Sequence, residues 1–257
     1  MPRPITFAIA FVMATIESLP AAAQSPTEYP IHSMTRPQPT VVDPGPYPGL
    51  RKPPSDAVVL FDGRSLDGWQ SADSSGHPAR WKVADGYMEV VAGAGNIATT
   101  RGFGDVQLHV EFMEPVPAHG EGQERGNSGV FLMGIYEVQV LDSYQNPTYA
   151  DGAVGAIYGQ YPPLVNASRP PGEWQTYDIV FHRPRFAANG NLTSPARMTI
   201  LFNGILIQDN AVLTGPTAHK QRPPYAKHPD LLPLILQDHG DLVRFRNIWV
   251  RELSGGS

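Results

Sequence analysis

The sequence predicts an all-β fold, an antiparallel sandwich or jelly roll, on three observations. Apolar and polar residues alternate with period two in several short segments. Two of those segments fold back at Asp85-Gly86 and Asn203-Gly204, pairs suited to tight hairpins because both central residues take positive φ. Downstream of the N-terminus, no window longer than about ten residues keeps the 3.6-residue apolar period of a helix. Composition agrees: 25 glycines and 27 prolines in 257 residues, with 17% charged, suit many strands and turns better than helices.

Three segments follow in order. Residues 1–23 read as an export signal: Arg3, then the apolar run "ITFAIAFVMATI", then small residues offering cleavage after Ala23. The run is too short to span a bilayer, so no transmembrane segment is expected after its removal. The chain has no cysteine, hence no disulfide and no lipid-modified anchor. A periplasmic or secreted location is the expectation. Residues 24–55 are dense in proline, which removes backbone donors and fixes φ; they form an extended linker or a strap on the domain. Residues 56–253 form one domain.

Within it, "AVVLFDG" (57–63) is a strand closing on an Asp-Gly turn, and "WKVADGYMEVV" (81–91) is a hairpin. "DVQLHVEFME" (105–114) sets Val106, Leu108, Val110 and Phe112 against Gln107, His109 and Glu111. "GEWQTYDI" (172–179) starts a strand, with Trp174 read as core. "RMTILFNGILIQD" (197–209) is the second hairpin, and "LVRFRNIWVREL" (242–253) sets Val243 and Phe245 against Arg244 and Arg246. The formal charge of −5 and the lack of a Lys/Arg cluster argue against nucleic acid as a partner.

The chemistry is sought first in "YEVQVLDSYQNPTYADGAVGAIYG" (136–159). On a strand Glu137 and Gln139 share one face while Tyr136, Val138 and Val140 share the other. A bulge near Leu141 would swing Asp142 round to join them. The E-x-Q-x-x-D line partly resembles the E-x-D-x-x-E line of sandwich-fold β-glucanases. Gln139 in an acid's place argues against double displacement, which needs two carboxylates about 5–5.5 Å apart. Gly126 and Gly129 bracket Asn127 and Ser128, so Arg125 and Asn127 are expected to send donors across the Glu137 face. The next loop holds Tyr144, Tyr149, Tyr158 and Tyr161, suited to sugar stacking or to loop packing. Gln237 and His239 stand two apart at a strand end before Gly240. Without HExxH, cysteine or clustered histidine, no metal site is assigned.

Taken in order, "LFDGRSLDGW", "WKVADG", "RGNSGVFLMGIYEVQVLDS", "GAIYG", "PGEWQTYDI", "LFNGILIQD" and "LQDHGDLVRFRNIWVREL" resemble the 3-keto-disaccharide hydrolase family. The resemblance spans roughly Val58 to Leu253. It implies a concanavalin A-like lectin/glucanase sandwich that cleaves glycosides already oxidised at C3, paired with a sugar 3-dehydrogenase. Glu137 is then the expected base or acid–base residue, with His239 or Asp142 as partner. Arg125 and Asn127 would stabilise an enolate, and Gln139, Gln237 and Tyr158 would hold sugar; Glu111 stands as a second-line candidate. No cofactor is expected, though carboxylates, amides and a histidine could hold a divalent ion such as calcium. A non-catalytic carbohydrate-binding module or an ordinary β-glucanase are the alternatives on the same fold.

Overall fold

The computed structural model describes residues 26–73 and 75–253. The expected export signal lies outside the described residues. The first strands are β1 (Thr40–Val41), β2 (Val58–Phe61), β3 (Trp69–Ser71), β4 (Lys82–Ala84), β5 (Tyr87–Glu89) and β6 (Ile97–Phe103). Next come β7 (Val106–Met113), β8 (Ser128–Leu132), β9 (Tyr136–Val140), β10 (Val165–Asn166), β11 (Gln175–His182) and β12 (Arg185–Phe186). The chain closes with β13 (Leu192–Ser194), β14 (Arg197–Phe202), β15 (Ile205–Val212), β16 (Leu232–Leu236) and β17 (Arg244–Glu252). Among the described residues, helical structure is confined to the 3-10 turns Gly122–Glu124 and Ala150–Gly152, and no helix is long and apolar enough to cross a membrane.

Two antiparallel sheets make the sandwich. The larger runs β15-β14-β11-β7-β17-β5-β4, with β2 also on β17; the smaller runs β3-β6-β16-β8-β9. The alternation read from sequence decides what lies between them. Leu108, Val110 and Phe112 of β7, Tyr177 and Ile179 of β11, and Tyr136, Val138 and Val140 of β9 belong to one buried apolar cluster. Phe112 packs its ring 4.8 Å from Tyr177. Truncating a buried aromatic of this kind costs about 3–5 kcal/mol, so Phe112→Ala would threaten the sandwich as a whole.

Both expected hairpins form, with Asp85 and Gly86 at φ 49° and 81° and Asn203 and Gly204 at 52° and 82°. Trp174 departs from expectation. It lies outside the core cluster, half-buried, with the Arg246 guanidinium 3.7 Å above its ring.

Residues 26–55 lie on the domain as a strap. Proline limits their backbone pairing, so side chains do most of the docking. β1 adds a short parallel pairing with β10. Arg36 is buried, Gln38 Nε2 donates to the Thr148 carbonyl at 2.7 Å, and the Tyr47 hydroxyl donates to Glu111 at 2.8 Å.

Candidate active site

β9 is the edge strand of the smaller sheet, and β8 pairs with it in regular register. That register sets Gly129 opposite Gln139 and Phe131 opposite Glu137, all four facing away from the core. A side chain at 129 would meet Glu137 Oε1 at 2.6 Å, so glycine there leaves the space in which the carboxyl lies.

Two loops raise walls around this floor. The segment 155–161 runs along the free edge of β9. Gln139 N donates to Ala156 O at 3.0 Å, Gly155 N to Gln139 O at 2.9 Å, and Tyr158 N to Glu137 O at 3.3 Å. Glu137 N donates to the Thr217 hydroxyl at 3.0 Å, which pins the 217–219 segment beside Tyr158. On the far side Gln237 N donates to Gly129 O at 3.1 Å, and the Ser128 hydroxyl donates to Gln237 O at 2.7 Å. The result is a hollow of about 410 Å³ lined by Asn127, Phe131, Glu137, Gln139, Tyr158, Thr217, Ala218, His219, Gln237 and His239. That volume suits a small sugar. Another hollow, of about 440 Å³, lies between the strap and the 143–153 loop, but Tyr144 is its one titratable lining residue. The chemistry is concentrated in the first.

Glu137 dominates the electrostatics. It is 6% exposed, makes no ion pair among the described residues, and burial pushes its pKa up to about 8. It is the one carboxyl lining the hollow. Behind it, Gln139 Nε2 donates to Gln123 Oε1 at 3.2 Å and Asn127 Oδ1 at 3.3 Å, and Asn127 Nδ2 donates to Gln123 O at 2.8 Å. These buried amides are fixed before any ligand arrives. On the wall, Tyr158 shares hydroxyl hydrogen bonds with Tyr149 at 3.0 Å and with His219 Nδ1 at 3.2 Å. The side chains of Gln237 and His239 make no hydrogen bond within the described residues, which leaves them available to a ligand.

Six of the nine candidates therefore meet: Glu137, Gln139, Asn127, Tyr158, Gln237 and His239. The other three lie elsewhere. The β8–β9 ladder runs regularly to Val140, and beyond it Leu141 joins the core. Asp142 is then taken by Arg125, whose Nε donates to Oδ2 at 2.6 Å, and by Tyr144 N at 3.1 Å. Arg125 is spent on this contact because Gly126, at φ 62°, turns the chain between it and Asn127. Glu111 belongs to the opposite sheet. There it accepts from Tyr47 at 2.8 Å, Arg246 at 2.7 Å and Asn247 at 2.9 Å.

Phe131, Thr217, Ala218 and His219 complete the lining without having been singled out from sequence. Phe131 was legible in principle, since it lies two residues from Gly129 on the same strand face. The 217–219 segment carries no periodicity that would have placed it. Among the described residues, no group of three or more His, Cys, Asp or Glu side chains is disposed to hold a metal ion.

A β-sandwich with such a hollow on one sheet face is a layout of glycosidase-type hydrolases, and similarity to known proteins agrees. Residues 56–251 match the model of the 3-keto-alpha-glucoside-1,2-lyase-like domain, and the chain belongs to that family. It is 24% identical over 235 residues to a 3-keto-disaccharide hydrolase of Bacteroides thetaiotaomicron, covering 76% of this chain and 78% of that one. A crystal structure from Parabacteroides distasonis, described as a presumed glycosyl hydrolase, superposes with a TM-score of 0.74 at 46% identity, covering 77% and 84% of the two chains. Another from the same organism, at 22% identity and a TM-score of 0.55, covers 77% and 99% and shares the fold.

Proposed function

We propose that this protein cleaves 3-keto-glycosides by elimination followed by hydration. The observation that carries the reading is Glu137: a lone buried carboxyl whose pKa stands near 8, in a sugar-sized hollow rimmed by amides and histidines. A ketone at C3 acidifies the C2 proton, so a carboxylate more basic than usual can remove it. The electron pair moves into the C3 enolate, held by the second N–H of Asn127 Nδ2, whose first is given to Gln123 O, while Gln139 keeps Asn127 in place. The C1–O bond then breaks and the leaving oxygen takes a proton from His239, a lining residue whose ring makes no hydrogen bond within the described residues. Water adds as hydroxide to C1, its other proton restoring His239, and C2 recovers its proton from Glu137, which returns to its starting carboxylate. The sum is hydrolysis. Gln237 and Tyr158 hold sugar hydroxyls.

Double displacement on an unoxidised glucan is the weaker reading, because the lining offers one carboxyl where that chemistry needs two. A sugar 3-dehydrogenase is the class of enzyme that would supply the ketone, and the signal-like N-terminal sequence supports a periplasmic or secreted setting for the reaction.

Incubation with 3-keto-cellobiose and with cellobiose tests the reading. Glucose and 3-keto-glucose are expected from the oxidised disaccharide alone. Release from plain cellobiose overturns the elimination route, and binding of the oxidised sugar without release makes the domain a binding module. The free-enzyme profile is expected to rise with pH through a midpoint near 8, where Glu137 is half deprotonated, and to level off above it.

A further inference from the structure

The strap precedes the region that carries the family match, which begins at residue 56. It nevertheless reaches the back of the hollow's wall. The His32 ring stacks on Tyr149, centroids 4.0 Å apart and planes 18° apart, and meets Tyr158 edge-on at 5.1 Å and His219 at 5.5 Å. The Tyr149 ring also covers Gly152, where a Cβ would collide with it. Tyr149 is thus held by both the strap and a 3-10 turn. Its hydroxyl holds Tyr158, whose hydroxyl holds Nδ1 of His219, and the last two line the hollow with Glu137.

We propose that the strap completes the active site, with His32 as a positioning residue that fixes the Tyr158–His219 wall through Tyr149. The proposal rests on the reading of the hollow as the catalytic site.

The strap is anchored firmly enough for this task. Asp151 is fully buried and accepts from His32 N at 3.2 Å; Arg36 of the strap lies 4.0 Å from it and Arg222 3.8 Å on the domain side. Arg36 also donates to Gln160 O at 3.3 Å. Undocking would strip Asp151 of the His32 amide and of the Arg36 guanidinium. Both ring nitrogens of His32 are buried and without a hydrogen-bond partner. The contact of the imidazole with Tyr149 is therefore made by its flat face.

The consequence is separable from ordinary packing. His32→Ala removes the face against Tyr149, whereas His32→Phe keeps a flat ring there. In the full chain acting on 3-keto-cellobiose, His32→Ala is expected to lose about tenfold in kcat with KM within about threefold, and His32→Phe to recover most of it. An activity-independent readout accompanies this: the imidazole resonances of His219, assigned by their loss in His219→Gln. They are expected to shift in His32→Ala and in Tyr149→Phe, which keeps the ring and deletes the hydroxyl, and to stay in place in His32→Phe. Unchanged kcat in a folded His32→Ala overturns the proposal, as does equal impairment of His32→Ala and His32→Phe. Should His32→Ala not fold, an unmoved His219 signal in Tyr149→Phe overturns it. If the wild type releases no sugar, the catalytic reading fails, while the His219 resonances still decide the positioning.

Discussion

The outer faces of the two sheets each carry a glutamate on an alternating strand, Glu111 in "LHVEF" on β7 and Glu137 in "MGIYEV" leading into β9. Both are buried, at 1% and 6% exposure, and both have apolar neighbours on either side in sequence. Their electrostatics are opposite. Burial alone would raise the pKa of Glu111, but hydrogen bonds from His109, Asn247, Arg246 and Tyr47 outweigh it and bring the value down to about 2. Glu137 receives no such bonds, and burial takes it up to about 8. What is packed over a strand face, not the strand's own sequence, separates a carboxylate spent on stability from one kept for chemistry.

The largest test of this contrast is Glu137→Gln. It is expected to lower kcat on a 3-keto-disaccharide by about 1000-fold, the range of a lost general base. It should not lower thermal stability, because an uncompensated buried carboxyl is removed. The linkage has a definite sign. A folded pKa of about 8, above the reference 4.5, means the folded state holds the proton more tightly, so wild-type stability falls as pH rises between those values. The variant should lack that component of the slope. Wild-type turnover in Glu137→Gln would take Glu137 out of the mechanism.

Glu111→Gln is the mirror experiment. Activity is expected to stay within about twofold, while stability drops by about 3 kcal/mol because Arg246 and Tyr47 lose a charged acceptor. Here the folded pKa of about 2 lies below 4.5, so the wild-type contribution is present above 4.5 and is lost as pH falls towards 2. Urea melts at pH 7 and pH 3 check it: the gap between wild type and variant should narrow at pH 3. An equal gap at both values would mean that packing, not charge, carries the effect.

These two glutamates also mark the boundary of what the sequence reveals. Period-two alternation is local, so the inward sets on β7 and β9 and the outward direction of Glu111 and Glu137 could be read directly. Which sheet each strand joins is not local. Glu111 faces Arg246 and Thr176 through pairings 135 and 65 residues away in the chain, and no short window encodes that. Arg125 was misplaced for a related reason, since one positive-φ glycine redirects it to Asp142. Tyr47 and His32 were invisible because a proline-rich strap has no period from which a buried face can be inferred. His219 shares that fate in its loop.

Gly129→Ala sharpens the Glu137 side. The new Cβ falls 2.6 Å from Glu137 Oε1 and 2.7 Å from Phe131 Cε2, so the carboxyl must swing away. A loss of about tenfold to a hundredfold in kcat is expected from misplacing the base, with about 1–2 kcal/mol of overpacking cost. A crystal structure of the variant with Glu137 unmoved and kcat unchanged would show that the glycine is not needed to seat the carboxyl.

Gln237→Ala carries the smallest expected effect and isolates binding from catalysis. The Gln237 side chain lines the hollow and makes no hydrogen bond to the described protein, while its backbone is fixed to Gly129 and Ser128 on β8. Removing the amide therefore leaves nothing unsatisfied in the free protein, and stability should stay within about 0.5 kcal/mol. A hydrogen bond to a sugar hydroxyl made equally in the ground and transition states would appear as KM raised about tenfold with kcat little changed. A matching fall in kcat would instead place Gln237 on the enolate or the leaving oxygen. Both parameters unchanged would put the sugar on the Tyr158 side of the hollow, where the strap, through His32, sets the wall.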